Sequence, residues 1–271
     1  MKKIIIHFFS SIFPNIFVSI AYKHLTTPQI HRLRPHEAAI LEIAIQSNFS
    51  FEGFNIKTYQ WGTGSKTVLL IHGWEGQAGN FADLIEILIN DGYTVYAFDG
   101  PSHGASSIGS TSLFKFNKLV VRLIKLYKVK HLVSHSFGGV ATSIGLGMFP
   151  GIKIKRYVLF TTPNQFIDRI QFVTDVMGIS NLVTKRLIKK IEFEEGIIVG
   201  NMNVADYVQK ASVEKALILH DINDKVLPIG QSREVDAVWD QAHLEEIIGT
   251  GHYRILRTKS VLQKALDFLN N

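Results

Sequence analysis

Five short apolar runs limit what this chain can become: "TVLLIHG" (67–73), "TVYAFDG" (94–100), "VKHLVSHS" (129–136), "RYVLFTTP" (156–163) and "KALILHD" (215–221). Each is rich in β-branched and aliphatic residues and stops at glycine or polar residues. Such runs read as strands buried on both faces. Helical patterns stand between them: "NFADLIEILIND" (80–91), "LFKFNKLVVRLIKLYK" (113–128) and "GGVATSIGLGMF" (138–149). Alternation of this kind predicts an α/β fold, a mostly parallel central sheet flanked by helices. Reactive groups then collect at the carboxyl ends of the strands. Here those ends read HGW, DGPSHG, HSFGG, TTP and HDIND.

The remaining segments set the domain plan. "RPHEAAILEIAIQS" (34–47) has helical spacing, and "FSFEGFNIKTYQWGTG" (49–64) reads as a hairpin. Between Pro163 and Lys215 the chain is longer than one crossover needs. "QFIDRIQFVTDVMG" and "SNLVTKRLIKKIEFEEG" are helical in pattern, with Ser180 placed to cap the second. Residues 164–210 are therefore assigned to a small helical cap, and 49–163 with 211–271 to the α/β core. Residues 1–48 form an N-terminal helical segment expected to pack on that core. Its apolar run from Ile4 to Ala21 follows two lysines, but Pro14 and Asn15 split it into pieces too short to span a bilayer. Contact with a membrane surface ranks second to packing. A cleaved signal, with Ser19 and Ala21 at a small-residue site, ranks third. A cytoplasmic location is the expectation.

Residues 134–139, Ser-His-Ser-Phe-Gly-Gly, match the G-x-S-x-G nucleophile elbow with Ser134 in place of the first glycine. The elbow tolerates only small residues two before and two after its nucleophile, and serine is small. A serine hydroxyl needs a base, and the base needs an orienting acid. His135 is adjacent to Ser136, but neighbours on a strand point to opposite faces. The base is sought after the last strand, where "LEEIIGTGHYRIL" (244–256) offers His252. "LILHDINDKVLP" (217–228) offers Asp221, which leaves the strand directly and suits fixing the turn, and Asp224, which lies farther out. The outer one is assigned as the acid, so the catalytic set is Ser136, Asp224 and His252. An oxyanion hole would use the backbone N–H groups of Phe137 and Trp74, with His72 bracing the Trp74 loop.

Five pieces in order, "LLIHGWEGQAGNF", "GYTVYAFDGPSHGASS", "HLVSHSFGGVA", "ILHDINDKVLP" and "TGHYRILR", resemble the α/β-hydrolase fold superfamily, in particular bacterial serine hydrolases of esterase type. The resemblance covers nearly the whole chain. It implies a serine hydrolase with a cap inserted before the acid-bearing strand. It also implies that "DGPSHGAS" (99–106) is a structural loop, with Ser102 where a glycine is usual. The expected reaction is hydrolysis of a carboxylic ester or thioester, with a small-molecule acyl substrate. An amidase or peptidase with the same triad, using Glu192, Glu194 or Glu195 to hold an amine, and a catalytically silent ligand-binding protein are the alternatives.

Other chemistries lack residues. There is no cysteine, hence no thiolate metal site or cysteine nucleophile. No cofactor or metal is expected: the histidines are dispersed, and "WGTGSK" (61–66) precedes a strand rather than the helix a phosphate loop requires. The net charge of +6 is spread along the chain, and no nucleic-acid motif accompanies it. The run Lys185, Arg186, Lys189 and Lys190 reads first as a solvated helix face, with recognition of an anionic substrate or lipid headgroup as the alternative. Phe166, Phe172 and Met177 are read either as an acyl pocket or as cap anchors.

Overall fold

The computed structural model describes residues 2–271. Its eight strands are β1 (Ile45–Phe51), β2 (Phe54–Trp61), β3 (Lys66–Ile71), β4 (Tyr93–Phe98), β5 (His131–His135), β6 (Lys153–Phe160), β7 (Ser212–Asp221) and β8 (Ala242–Ile247). They form one sheet in the order β1-β2-β4-β3-β5-β6-β7-β8. From β4 to β8 every pairing is parallel, while β1 and β2 add an antiparallel edge. Chain order reverses at β3, which lies between β4 and β5. At such a point the loops leaving adjacent strands diverge and open a crevice at their carboxyl ends.

The helices are α1 (Lys2–Ile12), α2 (Pro14–Thr26), α3 (Pro35–Glu42), α4 (Ala82–Asn90), α5 (Leu113–Tyr127), α6 (Phe137–Met148), α7 (Phe166–Met177), α8 (Asn181–Glu195), α9 (Val204–Val208), α10 (Gly230–Asp236), α11 (Gly251–Arg254) and α12 (Lys259–Asn270). They cover both faces of the sheet. Successive strand residues serve opposite cores: Leu69, Leu132 and Ile218 pack with α5 and α6. Val68, Val133 and Leu217 pack with α4 and α12. Each of these side chains is at most 3% exposed, which explains why the strands read as unbroken apolar runs.

Two boundaries differ from the sequence expectation. The helix expected over 34–47 stops at Glu42, and Ile45–Asn48 join β1, which pairs with β2 from Ile45↔Gln60 to Phe51↔Phe54. The two-residue turn Glu52-Gly53 has φ +45° and +82°, a hairpin turn that fixes this register. Long cross-strand pairing thus overrides a helical pattern that runs to Ser47. The second difference lies at the end of the expected cap: Val204 and Val208 of α9 are buried in the core against α6.

Helices α7 and α8 form a separate layer, with Ile170, Val183, Leu187 and Ile191 clustered against Val18 and Ala21 of α2. Helices α1 and α2 therefore pack on this layer and not directly on the α/β core, where the sequence reading expected them. They reach the core at the last turn of α2, where Thr26 O accepts a hydrogen bond from Thr111 N. Ser180 sits at the N-cap of α8 without a side-chain cap bond, and its N–H donates to Ser10 Oγ of α1. The outward side of α1 carries Ile4, Ile5, Phe8, Phe9 and Ile12, all exposed. No single helix among the described residues is long and apolar enough to cross a membrane; α1 and α2 are bent by 120° at their junction.

Candidate active site

β5 ends at His135, and α6 begins at Phe137. Ser136 between them has φ +51° and ψ −122°, a conformation that side-chain-bearing residues avoid. This strain lifts the hydroxyl off the sheet edge. The turn closes because no side chain projects from Gly138 and Gly139. A Cβ on Gly138 would stand 2.6 Å from Ile71 O, and one on Gly139 would stand 2.7 Å from Thr162 Cγ2. Gly138→Ala is expected to lower stability by about 1–3 kcal/mol through overpacking against rigid backbone. Urea denaturation checks this, and an unchanged midpoint would contradict it. Ser134, standing for the usual glycine, is fully buried, and its Oγ pairs with Tyr157 Oη at 2.9 Å. The extra hydroxyl is absorbed by a partner.

Three residues far apart in sequence meet here. Ser136 Oγ lies 3.1 Å from His252 Nε2, and His252 Nδ1 lies 2.7 Å from Asp224 Oδ2. With Asp224 ionised, Nδ1–H donates to the carboxylate, and the bare Nε2 accepts the serine proton. Asp224 is itself held firmly. Its side chain is shielded from solvent, and Oδ1 accepts the N–H groups of Val226 at 2.7 Å and Leu227 at 3.0 Å. Burial works to raise its pKa, but hydrogen bonds from His220, His252 and Leu227 prevail and hold it well below the carboxylate range.

Asp221 has a different task. It accepts from Asn223 N at 2.8 Å and Gly251 N at 2.7 Å, and also from Thr250 N and the Thr250 hydroxyl. It clamps the His252 loop to the end of β7. His220 went unnoticed in the sequence. Its Nε2 donates to Leu227 O at 3.0 Å and lies 3.5 Å from Asp224 Oδ2, so it braces the acid's loop from within. The only signal for it was a histidine inside an otherwise apolar strand. His135 is no base: its Nε2 donates to His252 O at 2.9 Å, so it supports the loop that carries the base.

On the facing side, His72 Nδ1 donates to Gly73 O at 2.7 Å, and its Nε2 accepts Gly100 N–H at 2.9 Å. These bonds join the loops after β3 and β4. Asp99 extends the brace by accepting Ala78 N, Ala105 N and Tyr59 Oη. Ser102 adopts φ +67°, the conformation a glycine would take there, and its Oγ accepts Gly109 N–H. The braced loop approaches the serine closely: a Cβ on Gly73 would lie 3.3 Å from Ser136 Cβ. Neither Trp74 N nor Phe137 N has a hydrogen-bond partner among the described residues. Phe137 directly follows the serine and opens α6, where the helix dipole favours negative charge, and Trp74 follows Gly73 on the braced loop.

Beside these residues lies a small, mostly apolar pocket. Trp74, Phe137, Leu113, Phe166, and Tyr22 and Leu25 of α2 form its apolar walls. Arg169 and Glu195 stand at its polar side. Of the other expected pocket residues, Phe172 is largely exposed and Met177 packs within the cap layer. Glu194 pairs with Lys190, and Glu192 accepts Val199 N–H. Among the described residues no group of three or more histidines or carboxylates is placed to hold a metal ion.

The buried histidines give the fold a pH dependence. Burial lowers His72 to about 4; burial, then His72, lowers His103 to about 3; burial, then His252, lowers His135 to about 3. A base whose folded pKa is depressed binds its proton more readily when unfolded. Its contribution is complete above the ordinary value near 6.5 and falls as pH drops toward the folded pKa, by about 1.4 kcal/mol per pH unit per histidine. Asp224, depressed as an acid, adds in the same direction at lower pH. Tm is expected to be higher at pH 7 than at pH 5, and His135→Asn should flatten the slope. A Tm equal or higher at pH 5 contradicts this.

Residues 68–195 match the model of the alpha/beta hydrolase family. A serine hydrolase-like protein of Danio rerio is 26% identical over 175 residues, covering 58% of this chain and 53% of that protein. The chain spans between 24% and 56% of the length of the curated relatives it matches. An esterase from Exiguobacterium antarcticum superposes with a TM-score of 0.68 at 15% identity, over 84% of this chain and 100% of that one. The thioesterase domain from the curacin biosynthetic pathway superposes with a TM-score of 0.60 at 17% identity, over 84% and 99%. At such identities the superpositions speak for the fold. Sheet order, elbow and sequence match converge on one architecture: the chain has the α/β-hydrolase fold.

Proposed function

We propose that the protein is a serine hydrolase that cleaves a carboxylic ester or thioester through an acyl-enzyme on Ser136. The observation that carries this reading is the unbroken hydrogen-bond chain from Ser136 through His252 to Asp224 at a strained elbow. In the proposed reaction His252 Nε2 takes the serine proton as Oγ attacks the carbonyl. Asp224 keeps the imidazole in the accepting tautomer and stabilises the imidazolium. The amides of Phe137 and Trp74 receive the developing oxyanion, a contribution of about 10²-fold or more per donor. The leaving oxygen or sulfur takes the proton from His252, and water repeats the sequence to free the acid.

The apolar walls of the neighbouring pocket suit an acyl group, and the esterase and thioesterase folds above span the same acyl chemistry. Of the three cap glutamates considered for an amine, two are engaged elsewhere, which favours esters and thioesters over amides. Rapid mixing with p-nitrophenyl butyrate and octanoate tests the reading. A burst of p-nitrophenol is expected, with an acid-quenched protein mass raised by one acyl group. Absence of adduct and turnover with these esters and with acyl thioesters overturns it.

A further inference from the structure

We infer that the outer face of α1 and α2 is a docking surface for an anionic phospholipid bilayer. The two helices are apolar on opposite sides. Their inner side is covered by α7 and α8, with Val18 and Ala21 buried and Ser10 Oγ bonded to Ser180 N. Their outer side is uncovered. Ile4 and Phe8 are 74% and 61% exposed, Ile12 continues the same line at i+4 spacing, and Ile5 and Phe9 form a second line beside it. Ile16 and Ile20 carry the face onto α2. Scattered exposed apolar residues are ordinary, but an ordered face of this kind marks a binding surface. A helix apolar all round belongs in a protein core or in lipid.

Charge selects the occupant. Residues 1–36 contain five lysines and arginines and no carboxylate; the first is Glu37. Lys23 stands three residues beyond Ile20 on the exposed side of α2. Arg186 of α8 donates to Asn15 Oδ1 at 2.8 Å, placing the exposed Lys185, Arg186 and Lys189 along the border of the apolar face. None of these four cations forms an ion pair among the described residues. An apolar face rimmed by unpaired cations is the pattern of a helix lying in the interface of an anionic bilayer. Length supports lying rather than spanning. Helices of 11 and 13 residues are roughly 16 and 20 Å long, against about 30 Å of hydrocarbon.

The test is flotation of the purified full chain with vesicles of phosphatidylcholine alone, or with about one-third phosphatidylglycerol, an anionic fraction matching the electrostatic argument. Co-flotation with the anionic vesicles is expected, weakened by salt and by removal of the anionic lipid. The double variant Phe8→Ser/Ile12→Ser, confined to exposed positions, should bind at least about tenfold more weakly. Lys185→Glu/Lys189→Glu should bind about tenfold more weakly to anionic vesicles. Ser136→Ala should float as the wild type does, so the result stands apart from the hydrolase reading. The inference is overturned if the wild type stays unbound, or if both double variants float undiminished. A concentration-dependent dimer that Phe8→Ser/Ile12→Ser dissolves, without vesicle binding, also overturns it and assigns the face to a second copy.

Discussion

Replacing Ser136 by alanine is expected to lower kcat/KM for a p-nitrophenyl ester by about 10⁴-fold or more, leaving only what the oxyanion donors and binding supply. Labelling by a fluorophosphonate should vanish in the same variant, because the elbow serine alone has a matched base. Undiminished labelling of Ser136→Ala would move the nucleophile elsewhere. Stability gives a second readout. At φ +51° a Cβ is strained, so Ser136→Gly should be inactive yet more stable than Ser136→Ala by about 1 kcal/mol. Thermal unfolding of the two variants measures this difference. Equal midpoints would show that the turn holds no such strain.

The two aspartates after β7 should separate just as cleanly. Asp224→Asn is expected to reduce kcat by about 10⁴-fold, since an amide facing His252 Nδ1 favours the wrong tautomer. Its effect should fall on kcat at every pH, with the serine still in place. Asp221→Asn removes a charged acceptor shared by three backbone N–H groups and the Thr250 hydroxyl. It should cost about 1–3 kcal/mol of stability and lower kcat far less. Steady-state kinetics with parallel urea denaturation distinguish the two roles. The reverse ranking would reassign the acid to Asp221.

How much of this was legible in sequence depended on the range of the interactions. The strands were readable because burial on both faces leaves a continuous apolar run. Ser136, Asp224 and His252 were readable because each follows a strand, and parallel strands deliver their ends to one edge. Residues 45–47 read as helix because their strand conformation is decided by a partner strand, not by local propensity. His220 was hidden for a related reason: its role depends on the path of a loop seven residues later. The docking of α1 and α2 on α7 and α8 was also out of reach, since apolar spacing shows that a face is buried without naming its partner. The Ser134–Tyr157 pair belongs to the same class, a side-chain contact between neighbouring strands.

One wall of the pocket has an unusual provenance. Tyr22 and Leu25 belong to a helix that contributes nothing to the sheet, while Ser136, Asp224 and His252, the proposed catalytic groups, all sit on loops the sheet positions. Under the proposed function, part of substrate choice is therefore written in a stretch of chain apart from the reaction chemistry, while Trp74 and Phe137 belong to both. Changes in α2 can lengthen, shorten or open the pocket while the proton relay keeps its geometry. The N-terminal helices act as an interchangeable jaw set against a fixed anvil, and a shift of that jaw would retune selectivity without rebuilding the catalyst.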